Sequence, residues 1–312
     1  MQPLTLQHFQ PQERYYLSKM KKTIFILLLA LTVSKVGIVL AQESASKERL
    51  QQYVYTLAAD SMMGRGINSP ESRMAAEYII KQFEMVGVKP FGGYYLHPFT
   101  FSEGPIRAFG NNIIGVVEGS DPLLKNEYIV IGAHYDHLGY ELKDGKPIVY
   151  NGADDNASGV ATIIEMGQLL AMQKETLKRS VIIIAFDGEE SGLKGSTQVV
   201  LDSIIPVKQV KLMVSVDMVG MLKANEYLNL KGSATLEDGN NIFEGLAAKH
   251  GIKLKHLGIT VESRTDTNPF GAIGIPSIAP TTGTKSPYHE PEDDANLLDY
   301  EGMATISDFL TD

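Results

Sequence analysis

Two adjacent carboxylates, Asp154 and Asp155, sit in Gly152-Ala153-Asp154-Asp155-Asn156-Ala157-Ser158-Gly159, directly before the helix-like run Val160 to Met172. Adjacent acids at a loop-to-helix junction repel each other, so a positive partner is needed to hold both. Asp and Asn are good N-caps, and capping explains one of the pair. A metal ion bridged by one carboxylate, with the other orienting the turn, explains both; a capped surface loop is the plainer alternative. More ligand-type residues follow the same logic: His134-Tyr135-Asp136-His137, Asp187-Gly188-Glu189-Glu190, Asp217 and Tyr288-His289. A lone His in a Gly/Pro-flanked loop, such as His289, is ordinarily just solvated. Beside four other candidates it reads as a ligand.

These groups need strands to carry them. The short β-branched runs Ile113 to Val117, Tyr128 to Ala133, Val181 to Phe186 and Leu212 to Val216 are nearly continuous in hydrophobicity, as in strands covered on both faces. Helical patterns at Val160 to Met172, Leu193 to Asp202 and Asn240 to His250 lie between or after them, with one more buried strand at Pro276 to Pro280 and a closing helix at Leu298 to Leu310. The alternation predicts an α/β fold: a three-layer α/β/α sandwich with a mostly parallel central mixed sheet. In such sheets ligands sit beyond the carboxyl ends of the strands, so three strands would deliver ligand-type groups to one crevice. Upstream, Lys47 to Asp60 reads as an amphipathic helix with Leu50, Tyr53, Val54 and Leu57 on one stripe. Met62 to Ser69 reads as a Gly-bearing loop, and Pro70 to Val86 as a second helix ending at Gly87, its Ala75, Ala76, Ile79, Ile80 and Phe83 being core.

Composition narrows the chemistry. The 312 residues contain no Cys, so disulfides and Cys-ligated zinc are excluded and any metal must be held by His, Asp and Glu, which favours a catalytic site over a structural one. The formal charge is −9, and residues 1–41 hold five Lys/Arg against one Asp/Glu, so the remainder is more acidic still. That disfavours nucleic acid or an anionic membrane as partner. Lys19, Lys21 and Lys22 precede the apolar run Thr23 to Val33, and Val39-Leu40-Ala41 offers a cleavage site before Gln42. Residues 1–41 thus read as an extension plus signal peptide, with Met20 as the true start, giving a periplasmic or secreted protein. An uncleaved anchor is the alternative, and Lys35, interrupting the apolar run, argues against it. Residues 42–312 read as one domain.

With these segments in order, the chain resembles the M28 metallopeptidases, the co-catalytic di-zinc aminopeptidases. The matching segments are Ala133-His134-Tyr135-Asp136, the Gly152 to Gly159 stretch, Glu189-Glu190-Ser191-Gly192-Leu193-Lys194-Gly195-Ser196, Val216-Asp217-Met218 and Tyr288-His289, and the resemblance covers roughly residues 45–312. It implies a zinc-exopeptidase (phosphorylase/hydrolase-like) fold and two Zn2+ ions, though cobalt or manganese suits similar ligands. Asp155 would bridge the ions, His134 and Asp217 would complete one site, Glu190 and His289 the other, and the Asp155–Asn156 bond would be cis. Glu189 would be the general base toward a water activated by both metals. Asp136 is the nearest acceptor for the second nitrogen of His134, and His137 reads as an outer-shell residue. Tyr288 could hydrogen-bond an oxyanion or simply pack. Asp266 and Phe270 match a segment near the family's substrate pocket, with Thr267 standing where a His is usual. The acidic cluster Glu290, Glu292, Asp293 and Asp294 reads as a cap for the final helix. The activity implied is removal of N-terminal residues from peptides with a free N-terminus. Alternatives on the same fold are a glutaminyl cyclase, a carboxypeptidase and a non-catalytic scaffold. The cyclases usually carry Asn-Asp-Gly at the bridge and a Trp wall, and this chain has Asp154-Asp155-Asn156 and no Trp.

Overall fold

A computed structural model describes residues 44–312 apart from Gly104, so the signal peptide and cleavage site expected within 1–41 lie outside the described residues. The chain divides after Glu43, and Ser44–Asp312 is the unit that carries the fold. Its helices are α1 Lys47–Leu57, α2 Pro70–Val86, α3 Gly159–Met172, α4 Lys194–Leu201, α5 Leu222–Asn225, α6 Gly239–His250, α7 Thr267–Ala272 and α8 Tyr300–Thr311. Its strands are β1 Lys89–Pro90, β2 Leu96–Glu103, β3 Ile106–Val117, β4 Tyr128–His134, β5 Tyr140–Lys143, β6 Lys146–Val149, β7 Ser180–Phe186, β8 Val210–Ser215, β9 Leu228–Lys231, β10 Leu254–Lys255 and β11 Ser277–Thr281. Among the described residues no helix is long and apolar enough to cross a membrane.

Helix ends fall where their cap residues dictate. The Ser69 hydroxyl accepts from Ser72 N at 2.9 Å, Pro70 occupies the first turn of α2, and Gly87 closes it in the left-handed conformation. Helix α8 starts two residues later than the pattern predicts because Asp299 is its N-cap, accepting from Gly302 N at 3.0 Å.

Nine strands form one sheet in the order β1-β3-β7-β4-β8-β11-β9-β10, with β2 pairing β3. The central run β7-β4-β8-β11 is parallel throughout, while β3 and β9 join it antiparallel. Side-chain alternation along β7 sorts the layers. Val181, Ile183 and Ala185 pack with α1, α2, α3 and α8 residues such as Leu50, Ile79, Ile163 and Phe309. Ile182, Ile184 and Phe186 face the other way, toward Val199 of α4 and Phe270 of α7. Each buried Val, Ile or Phe among them contributes about 1.5–3 kcal/mol, so both faces of β7 are anchored. Parallel neighbours end at the same edge. His134, the Asp187–Glu190 turn, Asp217 and the loop after β11 therefore emerge side by side.

Candidate metal centre

The Asp154–Asp155 turn is built before α3 and locked from three directions. Gly152 has φ 57°, and a Cβ there would meet Asp155 O at 2.3 Å and the His137 ring at 2.5 Å, so only glycine fits. The Asp155–Asn156 peptide is cis. Asn156 Nδ2 donates to Val216 O at 2.9 Å while its Oδ1 accepts from Met218 N at 3.2 Å, tying the turn to both neighbours of Asp217. Asp154 Oδ1 accepts from Gly220 N at 2.8 Å, so the first acid of the pair orients the turn. Burial, then the charge of Asp293, pushes its carboxyl up to about 7.

Asp155 faces three imidazoles. Its Oδ1 lies 3.3 Å from His134 Nε2, which is itself 3.7 Å from Asp217 Oδ1. Its Oδ2 lies 3.1 Å from His289 Nε2 and 3.9 Å from His137 Nδ1. Glu190 completes the second group, with Oε2 at 3.2 Å from His289 Nε2 and Oε1 accepting from or shared with His137 Nδ1 at 2.9 Å. One carboxylate thus presents each oxygen to a different set of donors. Ligand-type atoms of His134, Asp155 and Asp217, and separately of His137, Asp155 and Glu190, lie within 4.8 Å of one another. His289 Nε2 and Asp217 Oδ1 are buried and make no hydrogen bond despite these neighbours, because the groups converge on shared points rather than on each other. Orphaned buried polar atoms of this kind demand a partner. His and carboxylate donors with no Cys suit zinc, and also manganese or cobalt.

The electrostatics agree. Burial would raise the Asp155 carboxyl, but the His134 and His289 imidazoles beside it hold it well below the usual carboxylate range. Its neighbours move the other way. Glu189 is pushed up to about 10 by burial and by the charges of Asp217 and Asp266, although His134 opposes the shift. Burial raises Asp217 and Asp136 as well. So many carboxylates cannot all ionise near neutral pH without cations, and a divalent ion inverts that local logic.

The surrounding residues divide into those foreseen and those missed. Asp136 reaches His134 differently than expected: His134 Nδ1 lies 3.1 Å from the Asp136 backbone carbonyl, while the Asp136 carboxylate accepts from Glu189 N and Glu190 N at 3.1 and 3.2 Å. It therefore positions the two glutamates. The Tyr288 ring stacks on His289 with centroids 3.8 Å apart and lines the cavity; burial, then Asp155, pushes its phenol up to about 12, so it stays a donor. Thr267 is buried and bonded to Glu262 O and the Thr265 hydroxyl, so Thr265 faces the cavity instead. Phe270 belongs to the core against Phe186, and both Asp266 oxygens are buried without hydrogen bonds.

The acidic cluster corrects its expected role. Asp293 is fully buried and accepts from Asp154 N and Asp155 N, each at 3.1 Å, so it caps the Asp154–Asp155 turn and leaves α8 to Asp299. Arg65 falls in the stretch whose sequence reads as a loop, yet it is 1% exposed and donates to four backbone carbonyls: Leu57, Tyr135, Asn151 and Gly152. It staples the His134–Asp136 strand end to the approach of Asp155 and places a fixed positive charge beneath the cluster. Burial lowers the guanidinium to about 10, opposed first by Asp136, so it remains charged at neutral pH. Arg65→Lys keeps the charge but has fewer, differently directed donors. It should leave at least one carbonyl unpaired, costing about 1–3 kcal/mol in denaturant unfolding, and weaken zinc binding about 10-fold or more by calorimetry. An unchanged unfolding free energy would contradict the staple.

The profile of peptidase family M28 matches residues 112–312, and the chain belongs to this family. Among relatives, it is 29% identical over 243 residues to aminopeptidase YwaD of Bacillus subtilis, covering 73% of this chain and 50% of that protein. The chain spans about half the length of the curated relatives it matches. Among solved structures, its fold is similar to that of an aminopeptidase from Aneurinibacillus sp. strain AM-1, with TM-score 0.70, 18% identity and coverage of 86% of this chain and 93% of the other. A glutaminyl cyclase of Porphyromonas gingivalis shares the fold at TM-score 0.69 and 18% identity, covering 86% and 97%.

Proposed function

We propose that this protein is a two-zinc exopeptidase that removes N-terminal residues from peptides with a free N-terminus. One observation carries the reading: two groups of ligand-type side chains share Asp155, and the carboxylate of Glu189 lies in the same cavity wall with no hydrogen bond or ion pair among the described residues. His134 and Asp217 would hold one cation and Glu190 and His289 the other, since His289 Nε2 lies 3.1 Å from Asp155 Oδ2 and 3.2 Å from Glu190 Oε2, while His137 Nδ1 holds Glu190 Oε1 at 2.9 Å. When bound, the cations lower the pKa of water and polarise the scissile carbonyl. Glu189 takes the proton of the attacking water and passes it to the leaving amine. Asp136 keeps Glu189 and Glu190 diverging through their backbone amides, and the Tyr288 hydroxyl is available to the carbonyl oxygen as its charge develops. The acidic cavity wall suits an α-ammonium. The basic, apolar and small-residue succession in residues 19–41 supports export to the periplasm or medium.

The zinc-loaded chain should cleave Leu-p-nitroanilide and leave its N-acetylated form intact. Cleavage of both forms at similar rates would contradict the requirement for a free amine. Release of ammonia from an N-terminal Gln peptide without cleavage would move the reading to a cyclase.

A further inference from the structure

The cavity beside the carboxylate cluster has a second wall of opposite charge. Its volume is about 670 Å³, within the range of small-molecule sites. Besides Asp155, Glu189, Glu190 and Asp217 it is lined by Lys231 at the end of β9, Arg264 in the segment before α7 and Lys285 in the loop after β11. Among its described lining residues, Glu262 is the single acid outside the ligand cluster. Glu262 is paired with Lys231 and lies 3.7 Å from Arg264 Nε. The Lys285 ammonium has no ion pair or hydrogen bond among the described residues, so three cations face one anion and the wall keeps a positive excess. In a chain of formal charge −9, a basic wall beside the reaction centre is no consequence of composition.

A second feature points the same way. Asn229 of β9 lines this cavity, is 8% exposed, and its buried Oδ1 has no hydrogen-bond partner. The Asn229 NH2 group makes no hydrogen bond among the described residues and is a donor suited to a carboxylate, whereas the orphaned Oδ1 is an acceptor that a carboxylate does not satisfy. Lys285 also sits four residues before His289 on the loop after β11, so one loop supplies both a candidate metal ligand and a candidate recognition charge.

Resting on the exopeptidase reading, we propose that Lys285, Arg264 and Lys231, with the Asn229 amide, form a carboxylate-binding subsite on the leaving side of the scissile bond. The preferred substrates are then short peptides carrying a carboxylate downstream of that bond. The direction follows from charge. A peptide ammonium is attracted to the acidic wall and a carboxylate is repelled from it, so a zwitterion spanning the cavity meets opposite charge at each end. A cavity of about 670 Å³ holds only a few residues, so a di- or tripeptide is the natural occupant. The carboxylate is either the chain terminus or an Asp/Glu side chain.

The test compares kcat/KM of the zinc-loaded chain for Leu-Gly-Gly and its C-terminal amide, and for Leu-Asp-Gly amide and Leu-Asn-Gly amide. A carboxylate in at least one pair should be preferred by about tenfold, the scale of one charge-assisted hydrogen bond, and the pair showing it identifies the source. Lys285→Met combined with Arg264→Met should bring that ratio toward one, with metal content and circular dichroism confirming the fold. Equal use of both members of each pair by the wild type, or a ratio unmoved by the double substitution, overturns the subsite. Wild-type turnover of Leu-p-nitroanilide, which carries no carboxylate, reports the exopeptidase reading separately. If no substrate is cleaved, that reading fails. The affinities of the same pairs for zinc-loaded Glu189→Gln, by calorimetry, then decide the subsite alone, and equal affinities overturn it.

Discussion

Glu189→Gln should bind metal as the wild type does and lose about 10³-fold in kcat, within the 10²–10⁴-fold range that a positioned general base supplies. The substitution is nearly isosteric and removes only the proton-accepting charge. Glu189 is not placed among the ligand groups, and its backbone N–H remains available to Asp136, so the neighbouring Glu190 should keep its orientation. In the metal-free protein, burial and the charges of Asp217 and Asp266 push the Glu189 carboxyl up to about 10. Cations in the cluster would lower it, so activity should rise with pH as Glu189 loses its proton, and the variant should lack that rise. The check is kcat for Leu-p-nitroanilide across pH with metal content measured on the same samples. Near-normal kcat with metal retained would remove Glu189 from the proton-transfer role.

Asp155→Ala should be the most damaging single change to metal binding. His134 and Asp217 remain on one side and Glu190, His137 and His289 on the other, but the group that faces both sets is gone. Separated half-sites with two or three ligands bind weakly, and the remaining acids repel across the gap. Equilibrium dialysis should find less than one zinc per chain, and turnover should fall to background. Asp154→Ala makes the contrasting case. Asp154 accepts from Gly220 N inside the scaffold, so its loss should appear as about 1–3 kcal/mol of folding stability before it appears in metal content. If Asp155→Ala retained two zinc ions, the shared-carboxylate arrangement would be wrong.

Much of this arrangement is legible in the chain itself, because the chemistry that would hold divalent cations uses residue types with few other reasons to cluster. His134, Asp155, Glu190 and Asp217 each follow or precede a strongly patterned strand or helix, so locating the element locates the ligand. His289 follows β11 by a longer loop and depended on the other candidates for its meaning. Groups acting through backbone atoms were harder to see. Arg65 recognises four carbonyls, and carbonyls leave no sequence signature; the one signal was an Arg between Gly64 and Gly66 in an otherwise apolar turn. Asp293 was hidden among four acids, of which burial selects it for the Asp154–Asp155 turn. His134 takes its second contact from the Asp136 carbonyl, a choice that side-chain reasoning could not make. Strands β1, β2 and β10 lie toward the sheet's edges and carry mixed polar patterns, as strands with a solvated face do, while β9 is a buried strand whose short apolar run is broken by Asn229 and Lys231. The hairpin β5–β6 is exposed or half-buried throughout, so burial imposes no apolar alternation on it.

The most direct test is zinc stoichiometry measured on one preparation together with turnover of free and N-acetylated Leu-p-nitroanilide. Two zinc ions per chain, with cleavage confined to the free-amine substrate, is the expected result. One ion or none in an active preparation would contradict a centre in which Asp155 serves two cations.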